Sequence, residues 1–201
     1  MSISRDRFDS INNKWGDFAS WAIWSPVLPG DRPKANIGDL SVLNPDTNST
    51  LLRILNPNVA MLGLNAATRP IAGKLSNFHD SYARGNDFKI RYAFQDTPYW
   101  GAYMTDVFKG LHETDSQKVL SYARDNPKEI LKQINQLRDE LKDLHTEDPL
   151  LIAFGDQAYA AVQAHLGDSY RVVKVMHYAH QIGKEAYREN VLEAINEYLN
   201  S

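Results

Sequence analysis

Apolar residues recur along this chain with two different periods. Phe8, Ile11, Trp15 and Phe18 fall at helical spacing and predict a helix over residues 5–20. The cluster Trp15, Phe18, Trp21 and Trp24 reads as a packed aromatic cap. Pro26, Pro29, Gly30 and Pro33 then open a long loop, Asn44-Pro45-Asp46 marks a turn, and a short helix is expected over residues 51–55. From Val59 the pattern changes. Val59-Ala60-Met61-Leu62-Gly63-Leu64 is a continuous apolar run, suited to a strand buried on both faces of a parallel sheet. Further strands are predicted over residues 101–108, 150–155 and 170–176.

The helices between them follow from a period near 3.6. Ile130, Leu131, Ile134, Leu137, Leu141 and Leu144 share one face of a helix over residues 127–144, with Pro127 in its first turn. An Ala-rich helix over residues 156–166 has Asp156 as its expected cap, and a last helix covers residues 185–199. Strands alternating with helices predict an α/β fold of three α/β/α layers around a central, mainly parallel four-stranded sheet. Residues 1–201 read as one domain, with residues 1–58 as a helical and loop cap and residues 59–201 as the core. Ligands of such sheets bind outside the carboxyl ends of the strands, at the switch in strand order. Residues 66–100 show little periodicity, so that stretch is either functional or contains short elements.

Composition narrows the chemistry. A chain of 201 residues is long enough to bury one sizeable core. With no cysteine, disulfides, thiolate nucleophiles and cysteine-held zinc or iron–sulfur centres are excluded. The polar first residues and the lack of a long apolar run lead us to expect no membrane association and a cytoplasmic location. A net charge of −3 argues against a strongly electrostatic nucleic-acid binder. The least acidic stretch carries Arg69, Lys74, Arg84, Lys89, Arg91 and Lys109, a pattern more common on solvated surface. No Walker loop, G-x-G-x-x-G or G-x-S-x-G occurs. His177 with His180, and His79 with Asp80, do not match a zinc spacing, so neither metal nor cofactor is expected.

Three strand ends carry polar groups that a parallel sheet would bring to one crevice: Asn65 after the first, Thr105-Asp106 in the second and His177-Tyr178-Ala179-His180 after the fourth. Each has a structural reading beside the functional one. Asn65 suits a turn cap, Asp106 a backbone acceptor, and His177 a core histidine bonded to a carbonyl.

In their order and spacing these segments resemble the uracil-DNA glycosylase superfamily, as a divergent branch. Gly63-Leu64-Asn65-Ala66-Ala67 is similar to the first motif of that family, with Asn65 where it positions or activates water. Phe78 falls near the aromatic that stacks on the extruded base. The strand with Tyr103 and Asp106 looks like the one that carries the base-reading asparagine, and residues 150–158 resemble the strand and helix start before the last motif. His177-Tyr178-Ala179 stands where the family has His-Pro-Ser, the histidine stabilising the departing base. The resemblance covers residues 59–201 and departs from the pattern at Ala66, Ala179 and Asp106, which stand for proline, serine and asparagine.

The resemblance implies hydrolysis of the N-glycosidic bond of a uracil-like or modified base. Asn65 and His177 would be catalytic, and Gly63, Leu64, Ala66, Phe78 and Asp106 would bind the base. Arg69, Lys109, Tyr178, His180 and Gln181 are candidate DNA contacts, with Gln181 and Ile182 candidate wedges. Glycosidic cleavage needs an oriented water and a donor to the base oxyanion. A carboxylate only accepts hydrogen bonds, so Asp106 suits a base with an exocyclic amine over uracil, whose O4 needs a donor. The expected partner is DNA or a nucleotide. The alternatives are a catalytically silent nucleotide- or protein-binding module on the same fold and a glycosidase of free nucleosides.

Overall fold

The computed structural model describes residues 3–66, 73–82, 85–109, 111 and 113–201. Helix α1, Arg5–Trp15, starts where the Ser4 hydroxyl accepts from Arg7 N and buries Phe8, Ile11 and Trp15. It stops at Trp15, short of the predicted residue 20, and the chain enters a two-residue strand, β1, Ser20–Trp21. A short helix, α2, Leu51–Ile54, leads into the long strand β2, Asn56–Asn65. The aperiodic stretch that follows contains α3, Asp87–Phe94, and β3 spans Ala102–Phe108. Two helices come next: α4, Ser116–Asp125, which the sequence pattern did not reveal, and α5, Pro127–Asp143. The chain closes with β4, Leu150–Phe154; α6, Gly155–Leu166; β5, Val172–Val175; and α7, Lys184–Asn200.

These strands form a five-stranded mixed sheet in the order β1-β3-β2-β4-β5. The four expected strands are parallel, and β1 adds an antiparallel edge on β3, with Ser20 opposite Met104 and Trp21 opposite Tyr103. The expectation of a four-stranded sheet is corrected on this point. Two buried residues inside an aromatic cluster carry no alternation, so nothing local marks them as a strand. Residues 1–58, expected as a cap outside the core, thus contribute a strand, and β2 itself begins at Asn56.

Apolar residues cover both faces of the sheet, as its doubly buried strands require. Phe8, Ile11, Ile134, Leu137, Val162 and Leu166 pack from α1, α5 and α6 on one face. On the other, Ile90 and Phe94 of α3 meet Tyr187, Val191 and Ile195 of α7. The chain passes from β2 outward to β3, then crosses back to β4 on the opposite side of β2. That reversal puts the switch in strand order beside the carboxyl end of β2. Among the described residues no helix is long and apolar enough to cross a membrane.

Local chemistry shapes the strand ends. Gly155 has φ +85°, a backbone conformation that L side chains rarely adopt, so β4 turns into α6 without an intervening loop. A Cβ there would stand 3.1 Å from His177 Cβ, so the glycine also admits the histidine. Phe154 is the N-cap, and Asp156 lies inside the first turn with its carboxylate 2.9 Å from Lys174 Nζ. The expected cap role of Asp156 is therefore corrected.

Candidate functional site

A cleft of about 1020 Å³ opens where the parallel strands end, at the upper limit of the 300–1,000 Å³ common for small-molecule sites. Its walls include Gly63, Leu64, Asn65 and Ala66 from the end of β2, and Asp106 from β3. Phe154 closes β4, and His177 and Tyr178 follow β5. Phe78, from the stretch before α3, forms the remaining aromatic wall, its ring centroid 6.3 Å from those of Phe154 and Tyr178.

The side chain of Asn65 is tied to the backbone. Its Nδ2 lies 3.1 Å from Ala66 O, 2.9 Å from Leu111 O and 2.6 Å from Glu113 O. Three carbonyls around one nitrogen fix which end of the amide is NH₂, because a carbonyl oxygen cannot face three others. The amide therefore braces the loop after β3 and offers Oδ1 as its acceptor. The capping and the water-orienting readings describe opposite ends of one side chain.

His177 is half-buried, and burial, with His180 nearby, holds its pKa down to about 4. The backbone N–H of Ala179 donates to its Nδ1 at 3.1 Å, so the neutral ring carries its proton on Nε2. Tyr178 stacks on the imidazole with centroids 4.4 Å apart. The histidine is thus a neutral donor across the ordinary range of pH.

Gly63 sits opposite Asp106 in the β2–β3 register. A Cβ at position 63 would overlap Asp106 Oδ1 and stand 3.1 Å from Phe78 Cζ. Only glycine leaves room for both side chains on that face. Asp106 is 4% exposed, and its Oδ2 accepts from Asn77 Nδ2 at 2.9 Å.

Asn77 is the site residue that sequence reasoning missed. Its amide also donates to Phe18 O at 2.8 Å and accepts from Phe78 N at 3.1 Å, so it fixes the carboxylate and the aromatic together. Phe78 adopts φ +61°, a conformation that disfavours a side chain by about 1–2 kcal/mol. It is held there by Asn77 and by Trp24, whose indole donates to Phe78 O at 3.2 Å. Next to it, His79 is fully buried, stacks on Trp24, and places its ring nitrogens 3.0 Å from Asn77 O and 2.9 Å from Ile23 O. A signal was present in Asn77, as an amide beside the candidate aromatic, but its partners lie in distant segments.

Other expected contacts fall elsewhere. Lys109, expected at DNA, is 2% exposed and ion-paired with Glu140, which corrects that assignment. Lys89 and Arg91 of the basic run are also internal, whereas Lys74 is exposed. Arg91 donates to the carbonyls of Ser25, Pro33 and Ala35, and Lys89 to that of His180. His180 and Gln181 are exposed, whereas Ile182, a candidate wedge, packs against the core. Arg69 lies outside the described residues. Among the described residues no group of three His, Asp or Glu side chains is placed to hold a metal ion.

Burial of His177 and His79 has a consequence for pH, because both folded pKa values lie below the ordinary 6.5. The unfolded chain therefore takes up protons first as pH falls. Stability is full above pH 6.5 and declines toward pH 4, where His177 itself protonates. Allowing for partial exposure, His177 is expected to account for about 2 kcal/mol of that loss. Thermal unfolding of the parent and of His177→Gln between these limits checks this, and parallel Tm curves would refute it.

In comparisons with known proteins, no family model matches the chain and no curated protein matches it.

Proposed function

We propose that the cleft receives a nucleobase and that the protein hydrolyses its N-glycosidic bond, as a uracil-DNA glycosylase-like enzyme acting on a flipped, amino-bearing or modified base. The observation that carries this reading is the meeting of Asn65, Phe78, Asp106 and His177 in one cleft. Water hydrogen-bonded to Asn65 Oδ1 would add to the sugar carbon as the carbon–nitrogen bond breaks. The bonding electron pair leaves with the base, and the Nε2–H of His177 would stabilise the charge that develops on it. Asparagine is no base at neutral pH, so the water loses its proton to solvent after bond cleavage, and Asn65 acts by orientation. Phe78 would stack on the base, whose extrusion from a duplex costs about a few kcal/mol.

The base is read by Asp106. Held by Asn77, its carboxylate accepts and does not donate, which favours an exocyclic amine and disfavours uracil. Base release from oligonucleotides carrying uracil, cytosine, modified cytosines or adenine is expected to favour an amino-bearing base. Asp106→Asn should shift the preference toward uracil by about tenfold or more, the size of one added hydrogen bond to a substrate. Strong preference of the parent protein for uracil over every amino-bearing base would sink this assignment.

One observation favours a second reading, a glycosidase of free nucleosides. Asp80, Asp87, Asp106 and Glu113 line the cleft, and among its described lining residues there is no Lys or Arg to meet a phosphate. Turnover of nucleosides without affinity for DNA would select it. Salt-dependent DNA binding without base release would instead indicate a silent binding module.

A further inference from the structure

The buried charges beneath the cleft have no part in the reaction described above. Lys109 and Glu140 have side chains 2% and 0% exposed, with Nζ 2.6 Å from Oε2. Tyr103, also fully buried, donates its hydroxyl to Glu140 Oε1 at 2.6 Å. Desolvating two charges commonly cancels their attraction, and apolar replacements of similar volume are often as stable or more so. Stability alone therefore does not account for this trio.

Its contacts point to the site. Lys109 Nζ also donates to the backbone carbonyl of Asp106 at 2.7 Å, fixing the last turn of chain at the exit of β3. Close after Lys109 in sequence, the carbonyls of Leu111 and Glu113 accept from Asn65 Nδ2. Glu140, on α5, anchors one end of this chain of bonds, and Asn65, on β2, forms the other. The backbone of Asp106 lies between them.

We propose that Lys109 and Glu140, completed by Tyr103, are positioning residues that hold the β3 exit loop so that it orients Asn65 and seats Asp106 opposite Gly63. Two links support this: the ammonium bridges α5 to the strand end, and the loop it anchors supplies two of the three carbonyls around the Asn65 amide. The kinetic consequence rests on the proposed glycosidase reaction. The geometric consequence does not.

The test is the triple variant Tyr103→Phe, Lys109→Met, Glu140→Met in the full chain, which removes both charges and the hydroxyl together and frees the Asp106 carbonyl from Lys109 Nζ, the link under test. It should unfold cooperatively with a Tm at or above that of the parent. The Asn65 side-chain amide, read by ¹H–¹⁵N NMR, should shift and exchange with solvent about tenfold faster or more. Base release should lose about tenfold or more in kcat with a smaller change in KM, the pattern of a displaced orienting group. Parent-like Asn65 signals and exchange in the folded variant would overturn the proposal. If the parent releases no base, the NMR readout still decides the positioning role, so the two failures are distinguishable. Should the triple variant not fold, Glu140→Gln keeps the volume and an oxygen acceptor and carries the same readout. Unmoved Asn65 signals in it overturn the proposal, and shifted signals with faster exchange of the Asn65 amide support it.

Discussion

His177→Ala is expected to lower base release about 10²–10³-fold in kcat, the usual effect of losing one donor to a developing oxyanion. The imidazole stacks on Tyr178 and accepts from Ala179 N, so its Nε2 proton is set in place before substrate arrives. Such a donor acts mainly in the transition state, and KM should change little. Removing a half-buried ring should also lower stability by about 1–2 kcal/mol, so activity is to be compared below the variant's Tm. Single-turnover kinetics on the best substrate of the base panel measures the effect. A kcat within about threefold of the parent would contradict the role, since this donor is asked for about a hundredfold or more. His177→Gln, which keeps an N–H donor, should recover part of the loss. Asn65→Ala should be as damaging for two reasons: it removes the acceptor for water and releases the loop carbonyls that its amide binds.

Gly63→Ala should be the most disruptive single methyl in the cleft. The added carbon overlaps Asp106 Oδ1 and presses on Phe78 Cζ, and neither can retreat freely. Asp106 is held by Asn77, and Phe78 is wedged against Phe154 and Tyr178. Overpacking of this kind lowers stability by about 1–3 kcal/mol. Base affinity should fall with it, because the carboxylate and the stacking ring are the groups displaced. Calorimetry and base-binding titrations test both effects. A double-mutant cycle with Asp106→Ala isolates the cause, as the second substitution should restore much of the lost stability without restoring base selectivity. Simple additivity of the two changes would show that the carboxylate is not what the methyl strikes.

The glycine also marks how far the site could be read in advance. Gly63, Asn65, Asp106 and His177 were legible because each interrupts or ends an apolar run, and parallel strands carry such ends to one edge. Phe78 was legible only through a family resemblance, since its stretch has no periodicity. The bonds made by Asn77 and His79 were not legible. Their partners are Phe18, Asp106, Ser20 and Ile23, and no local pattern reports a bond between segments so far apart. Lys109 was misplaced for a related reason: a lysine beside other cations reads as surface unless Glu140, one helix away, is known to face it.

The order of the four parallel strands and of α1, α2, α5, α6 and α7, the burial of both sheet faces and the polar residues at the strand ends were already set along the chain, whereas β1, α3 and α4 were not. What was set follows from the period of apolar positions and from the few residues that can sit at a turn. Contacts between distant segments bring β1 into the sheet and set the Asn65 amide against the carbonyls of Leu111 and Glu113. Tertiary contacts also lock Asp106 with Asn77 and turn Lys89, Arg91 and Lys109 inward. Those outcomes depend on which distant groups meet, and a hydrogen bond or an ion pair between remote segments leaves no period along the chain.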